Sequence, residues 1–131
     1  MKTIHVVAAI IEKDGQVLAT QRGHGEFKDR WEFPGGKVEE GETPEEAIVR
    51  EICEELDTTI SVERYLCTVY HDYPNFHLIM HCFICSVAKG EITLNEHEAA
   101  KWLDRDSLWT VDWLPADIDV VKSLENWKKD S

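Results

Sequence analysis

Residues 34–58 read PGGKVEEGETPEEAIVREICEELDT, and this stretch decides how the rest of the chain is read. Pro34-Gly35-Gly36 predicts a turn, and a well-marked helix follows it. Thr43 is a good N-cap, Pro44 fits the first helical position where no N–H is required, and Glu46, three residues after Thr43, completes a capping box. Ile48, Ile52 and Leu56 recur every four residues as a buried stripe, so the helix is expected to end near Leu56 or Asp57. Glu51, Glu54 and Glu55 are spaced i, i+3 and i+4 and project together from a different face.

Carboxylates that close repel one another unless a cation sits among them. An all-oxygen donor set suits a hard divalent ion: Mg2+ is the natural candidate, and Mn2+ can substitute. Gly35 and Gly36 let backbone approach a metal or phosphate closely, and Lys37 adds a positive charge. Arg50, always cationic, is suited to hold one carboxylate in a fixed rotamer by a two-point contact, the kind of support a metal site requires. Glu39, Glu40, Glu45 and Glu46 read as a solvated face.

Outward from this stretch the chain alternates strand-like runs with turn signals. Val6 to Glu12 and Gln16 to Gln21 flank Asp14-Gly15 and predict a hairpin. Arg22 to Arg30 reads as a polar loop, and Trp31-Glu32-Phe33 as a short strand. Further strands are expected at Ile60 to Tyr70, Phe76 to Val87 and Ala99 to Leu103, with a turn over Asp72 to Asn75. Pro115 to Trp127 places Ile118, Val121 and Leu124 at helical spacing, and fraying is expected from Lys128. A strand-rich centre with two separate helices predicts an α/β fold, a mixed sheet packed between helices.

The 131 residues fit one compact domain with no linker or repeat. The formal net charge of -12 repels an extended nucleic acid and favours bound cations first. No run approaches the ~20 apolar residues that span a bilayer, and Met1 to Ile11 lacks the flanks of a signal peptide, so a cytoplasmic protein with no membrane partner is expected. Cys53, Cys67, Cys82 and Cys85 are then expected as reduced thiols. Cys82 and Cys85 lie three apart in a strand, which points them to opposite faces and argues against a redox or zinc pair. The six histidines show no zinc spacing.

At the central stretch the sequence resembles the Nudix hydrolase family, in the MutT and CTP pyrophosphohydrolase branch. The family pattern is Gly, five residues, Glu, seven residues, Arg-Glu, an aliphatic residue, any residue, Glu-Glu, any residue, Gly and an aliphatic residue. Gly36, Glu42, Arg50, Glu51, Ile52, Glu54 and Glu55 match it in spacing. Asp57 and Thr58 depart from it; Asp tolerates the left-handed conformation of a helix end, so no metal ligand is lost. The likeness extends over Val7 to Ile11, Gln21-Arg22, Trp31 to Lys37, Trp102 and Leu114 to Asp117. It implies the Nudix fold, an α/β/α sandwich with a mixed β-sheet, and Mg2+-dependent hydrolysis of a small nucleotide by a monomer, a dimer being the alternative.

The resemblance also implies roles. Glu51, Glu54 and Glu55 would ligate metal with the Gly35 carbonyl and an acid of the loop Asn95 to Glu98, Glu96 ahead of Glu98. Glu51 is first choice as general base, with Glu96 and Glu98 as substitutes, while Glu42 and Arg50 complete the catalytic set. Arg22 and Lys37 would meet phosphates. Ile4, Val6, Phe33, Tyr73, Phe76 and Leu78 either line a base pocket or pack the core. Asp117 stands where oxidised-guanine relatives carry Asn; an ionised Asp only accepts, which favours the exocyclic amine of cytosine, 5-methylcytosine or an adenine derivative over 8-oxoguanine. The products would be a nucleoside monophosphate and pyrophosphate. A non-catalytic binding module of the same fold would have a degraded acid set, and this chain keeps every one of those acids.

Overall fold

The computed structural model describes residues 1–93 and 97–129, with residues 97–98 and 126–129 described by backbone alone. Its elements are β1 (Lys2–Lys13), β2 (Gln16–Arg22), β3 (Trp31–Glu32), β4 (Gly35–Lys37), α1 (Pro44–Leu56), β5 (Thr59–Tyr73), β6 (Phe76–Lys89), β7 (His97–Leu103), a 3-10 turn (Arg105–Thr110) and α2 (Pro115–Lys129). The strands form one mixed sheet in the order β3-β2-β1-β6-β5, with β4 beside β1 and β7 beside β2. β1 runs parallel to β6, and the other strand pairs are antiparallel.

Alternation along the strands builds two cores. Ala8, Ile10, Val17, Ala19, Met80, Cys82 and Ile84 face one layer, closed by Ala116, Val120, Val121 and Leu124 of α2. Val7, Ala9, Ile11, Leu18, Phe83 and Cys85 face the other, closed by Ala47, Ile48, Ile52 and Leu56 of α1. This is the expected α/β/α sandwich, and Cys82 and Cys85 do point to opposite faces. Among the described residues no helix is long and apolar enough to cross a membrane.

The signals local to a few residues correspond to what forms. Asp14 and Gly15 both take positive φ, 52° and 79°, and join β1 to β2 as a two-residue turn. Thr43 and Glu46 exchange both capping hydrogen bonds. Asp57 ends α1 in the left-handed region at φ 54°, its N–H donating to the Cys53 carbonyl. Thr58, where the family has an aliphatic residue, is buried at 1% exposure, its hydroxyl 2.7 Å from the Glu91 carbonyl and 3.1 Å from that of Leu56. Those contacts compensate the polar atom, whose burial alone would be costly.

Other expectations are corrected. β1, β5 and β6 extend past their apolar runs because ladder hydrogen bonds use only backbone; Lys2 already pairs with Phe76. The turn after β5 shrinks to Pro74 and Asn75, since Tyr73 pairs with Phe76. α2 is helical through Lys129, two residues past the expected end at Trp127. The 3-10 turn was not expected, although Asp104 and Ser107 form a capping box at its start.

The correction with most consequence concerns Pro34-Gly35-Gly36. Only Pro34 bends, while Gly35, Gly36 and Lys37 form β4 against Ala8, Val7 and Val6. Glycine is needed here for packing, because a Cβ on Gly35 would run into the Val7 backbone carbonyl. Gly35→Ala is therefore expected to destabilise the fold by about 1–3 kcal/mol through overpacking against backbone. At Gly36 a Cβ would meet the Glu51 side chain instead, so Gly36→Ala should chiefly impair activity. Denaturant unfolding and turnover, measured on both variants, separate the two effects.

Candidate active site

α1 presents its acids where β4 ends. Arg50 is the organiser: its Nε lies 2.6 Å from Glu42 Oε2 and its Nη2 2.9 Å from Glu42 Oε1, a two-point pair. Nη1 reaches Glu51 Oε1 at 3.0 Å and Glu54 Oε2 at 3.3 Å, and Nη2 also donates to the Lys37 carbonyl at 3.0 Å. Glu42 further accepts the Glu39 N–H at 2.9 Å. These contacts hold the Glu42 carboxyl down at about 2, the Arg50 bond being the largest cause.

Glu51 sits differently. Burial raises its carboxyl above the ordinary range, and Arg50 opposes that shift. Its side chain is 16% exposed, against 60% for Glu54. Arg50→Lys is expected to reduce turnover more than substrate binding, because an ammonium cannot hold two oxygens of Glu42 while reaching Glu51 and Glu54. Comparing kcat with KM for that variant checks this, and an unchanged kcat would reduce Arg50 to a surface residue.

The residues fit a hard divalent cation by their chemistry: three glutamates offer only oxygen, and the space that a Gly36 Cβ would fill is where Glu51 lies. Among the described residues no three His, Cys, Asp or Glu side chains already converge as a ligating group. Arg50 Nη1 meets both Glu51 and Glu54, so one positive charge already stands between these two carboxylates. Glu96 lies outside the described residues, as does the side chain of Glu98.

Beside this acidic face opens a cleft of about 280 Å³. Of the residues expected to line a base pocket, Val6, Phe33, Tyr73, Phe76 and Leu78 do so and Ile4 does not; Asp117 and Arg22 join them, while Lys37, expected like Arg22 at the phosphates, is not part of the lining. Phe33 and Tyr73 also contribute to the core layer under α2, so the two readings of these aromatics are not exclusive. Gly35 and Gly36 line the cleft as well, which joins it to the carboxylates of α1.

Asp117 reaches the cleft because β3 captures the segment before α2. The Trp31 N–H donates to the Asp112 carbonyl, and the Trp31 carbonyl accepts the Leu114 N–H. Asp117 Oδ2 then accepts the Phe33 N–H at 2.9 Å. Burial pushes its carboxyl up to about 8, offset in part by that hydrogen bond and by Arg22, and increased by Glu32. Burial in this cleft favours the neutral acid of Asp117, the opposite tendency to the ionised side chain expected from the sequence.

The folded chain binds this proton more tightly than the unfolded chain. Stability from Asp117 is therefore full below the unfolded carboxyl value of ~3.9 and declines as pH rises to about 8. Melting temperatures of the parent and Asp117→Asn should diverge over that window, the parent falling relative to the variant. A constant difference would mean an ordinary carboxyl.

Several cleft residues were not assigned to the site by sequence reading, Glu32, Glu26 and Phe27 among them. Glu32 holds Arg22 by two contacts, Nε–Oε2 at 3.3 Å and Nη2–Oε1 at 2.9 Å. Arg22 Nη1 also meets the Glu26 carbonyl at 3.4 Å, and Phe27, at φ 65°, sets its ring 5.8 Å from that of Tyr73. The alternation of β3 against β2 could have pointed to Glu32; no local signal marks Glu26 or Phe27.

Comparison with known proteins adds to this geometry. The NUDIX domain family model matches residues 1–124. The chain is 35% identical over 125 residues to the CTP pyrophosphohydrolase of Escherichia coli K12, covering 95% of this chain and 93% of that protein. It is 34% identical to an 8-oxo-dGTP diphosphatase of Haemophilus influenzae, again with 95% and 93% covered. The crystal structure of a MutT NUDIX hydrolase from Burkholderia pseudomallei superposes with a TM-score of 0.83 at 30% identity, over 95% of this chain and 99% of that one.

Proposed function

The chain belongs to the NUDIX domain family, and from that premise we propose that it hydrolyses a nucleoside triphosphate to the monophosphate and pyrophosphate. The observation that carries this reading is the position of Gly35 and Gly36. They line the cleft on one side, and Gly36 backs Glu51 on the other, so a base in the cleft places its phosphates along the acidic face of α1.

Glu51, Glu54, Glu55 and the Gly35 carbonyl would hold Mg2+, with Mn2+ as a substitute, and Glu96 is a further candidate. When bound, the ion neutralises phosphate oxygens and activates a water. The chain's own groups do the rest. Glu51, whose burial makes it a better proton acceptor than an exposed glutamate, takes the proton of the attacking water. Arg50 keeps Glu42, Glu51 and Glu54 in register. Arg22, held at the cleft wall by Glu32, faces the sugar and phosphates, and Phe33, Tyr73, Phe76 and Leu78 exclude water around the base.

The base we favour carries an exocyclic amine beside a ring acceptor, as cytosine and adenine do. With Oδ2 of Asp117 occupied by Phe33, a neutral carboxyl can still donate to the ring nitrogen and accept from the amine. Glu32, an acceptor next to Asp117, adds a second site for an amine hydrogen and repels a carbonyl oxygen. The neutral acid also resembles Asn in carrying both a donor and an acceptor, which favours 8-oxo-dGTP as the second reading. Catalytic efficiency on CTP, dCTP, 5-methyl-dCTP, 2-hydroxy-dATP and 8-oxo-dGTP tests the choice. A tenfold or greater lead for 8-oxo-dGTP would overturn the amine reading.

A further inference from the structure

Two thiols on the inner face of the β5–β6 hairpin take no part in this chemistry. Cys67 and Cys82 are Cα partners across the antiparallel ladder, and both belong to the core layer under α2. The ladder bulges between Tyr65 and Cys67 and runs in regular register from Cys67–Cys82 to Tyr73–Phe76; directly opposed residues in a regular ladder stand about 4.5–5.5 Å apart at Cα, within the ~4.4–6.8 Å that a disulfide bridges. They share the inner face of the hairpin, so their side chains are neighbours in the layer under α2. Cys85 faces the opposite layer and Cys53 is exposed on α1, so neither competes as a partner inside the molecule.

The contact is asymmetric. The neighbours Cys82 and Ser123 draw the Cys67 thiol below the usual thiol range, against the effect of burial. The same pairing and deeper burial push Cys82 well above the usual thiol range. Cys67 is only partly buried, so the more acidic thiol is also the more accessible one. That arrangement sets an accessible, more acidic thiol next to a buried one that can resolve it.

We infer that Cys67 and Cys82 form a disulfide when the protein meets a peroxide, and that external thiols reverse it. The Cys67 thiolate attacks one peroxide oxygen; the O–O bond breaks, hydroxide leaves and Cys67 becomes a sulfenic acid. The Cys82 sulfur then attacks the Cys67 sulfur. The S–S bond forms, the S–O bond breaks, and the departing hydroxide leaves as water with the Cys82 proton. Two thiols are oxidised and one peroxide is reduced to two waters. The place of the bond gives it reach, because β5 carries Tyr73 and α2, which contacts Cys67 through Ser123, carries Asp117, both on the cleft.

The test uses Cys53→Ser protein, which lacks the exposed thiol, treated with hydrogen peroxide while folded, then alkylated, digested and mapped by mass. The expected result is a peptide linking Cys67 to Cys82 that dithiothreitol removes and that Cys53→Ser/Cys67→Ser protein never yields. Circular dichroism before alkylation establishes that the linked protein is folded. Full alkylation of Cys67 and Cys82 after peroxide, oxidation of Cys67 without a link, or a link formed only in unfolded protein would each overturn the inference.

Discussion

Glu54→Gln and Glu55→Gln are each expected to lower turnover by more than ~100-fold while the fold survives. A lost carboxylate ligand removes charge stabilisation that matters most in the transition state, where the phosphate oxygens carry the developing charge. The fold has little reason to respond. Its α1 contacts run through Ala47, Ile48, Ile52 and Leu56, and the Glu54 side chain is 60% exposed. Arg50 would lose one contact at 3.3 Å from Glu54 and keep its shorter pair with Glu42. Circular dichroism, turnover in Mg2+ and calorimetric metal titration read the three parts separately. Near-parental rates in both variants would remove the acidic face of α1 from the chemistry.

Asp117→Asn is expected to shift preference away from amine-bearing bases and toward 8-oxo-dGTP by ~5- to 150-fold, the equivalent of about 1–3 kcal/mol for a hydrogen bond gained or left unmade. The carboxyl can take its proton at either position or lose it, so it serves an amine or a carbonyl edge. An amide with its oxygen turned to the Phe33 N–H has only its NH2 left for the base. Because burial pushes the Asp117 carboxyl up to about 8, the parent loses the proton it offers the base as pH rises through that value, so its ranking of the two base classes should change there while the variant's stays constant. The ratio of kcat/KM for CTP and 8-oxo-dGTP, followed against pH, measures both effects. An unchanged ranking in the variant would mean that Asp117 does not read the base.

Much of this was legible because its determinants are local. The box of Thr43 and Glu46, the stripe of Ile48, Ile52 and Leu56, and the Asp14-Gly15 turn each depend on residues a few positions apart, and each forms as read. Asp57 was legible for the same reason, since its tolerance of positive φ is a property of the residue. Gly35 and Gly36 were misread because their partner is Val7, far away in sequence, and the need for glycine comes from that strand. Strand ends were missed where backbone pairing continues under polar side chains. The ionisation of Asp117 depends on β3 drawing α2 onto the sheet, and Phe27 joins Tyr73 through a loop conformation that its neighbours do not encode.

The central claim is that the cleft and the acidic face of α1 act on one phosphorylated nucleotide. Incubating the protein with CTP and Mg2+ and identifying the products by 31P NMR tests it most directly. The account predicts CMP and pyrophosphate, formed only when a divalent cation is present and lost in Glu54→Gln and Glu55→Gln. Release of CDP and orthophosphate, or an equal rate in excess chelator, would contradict it.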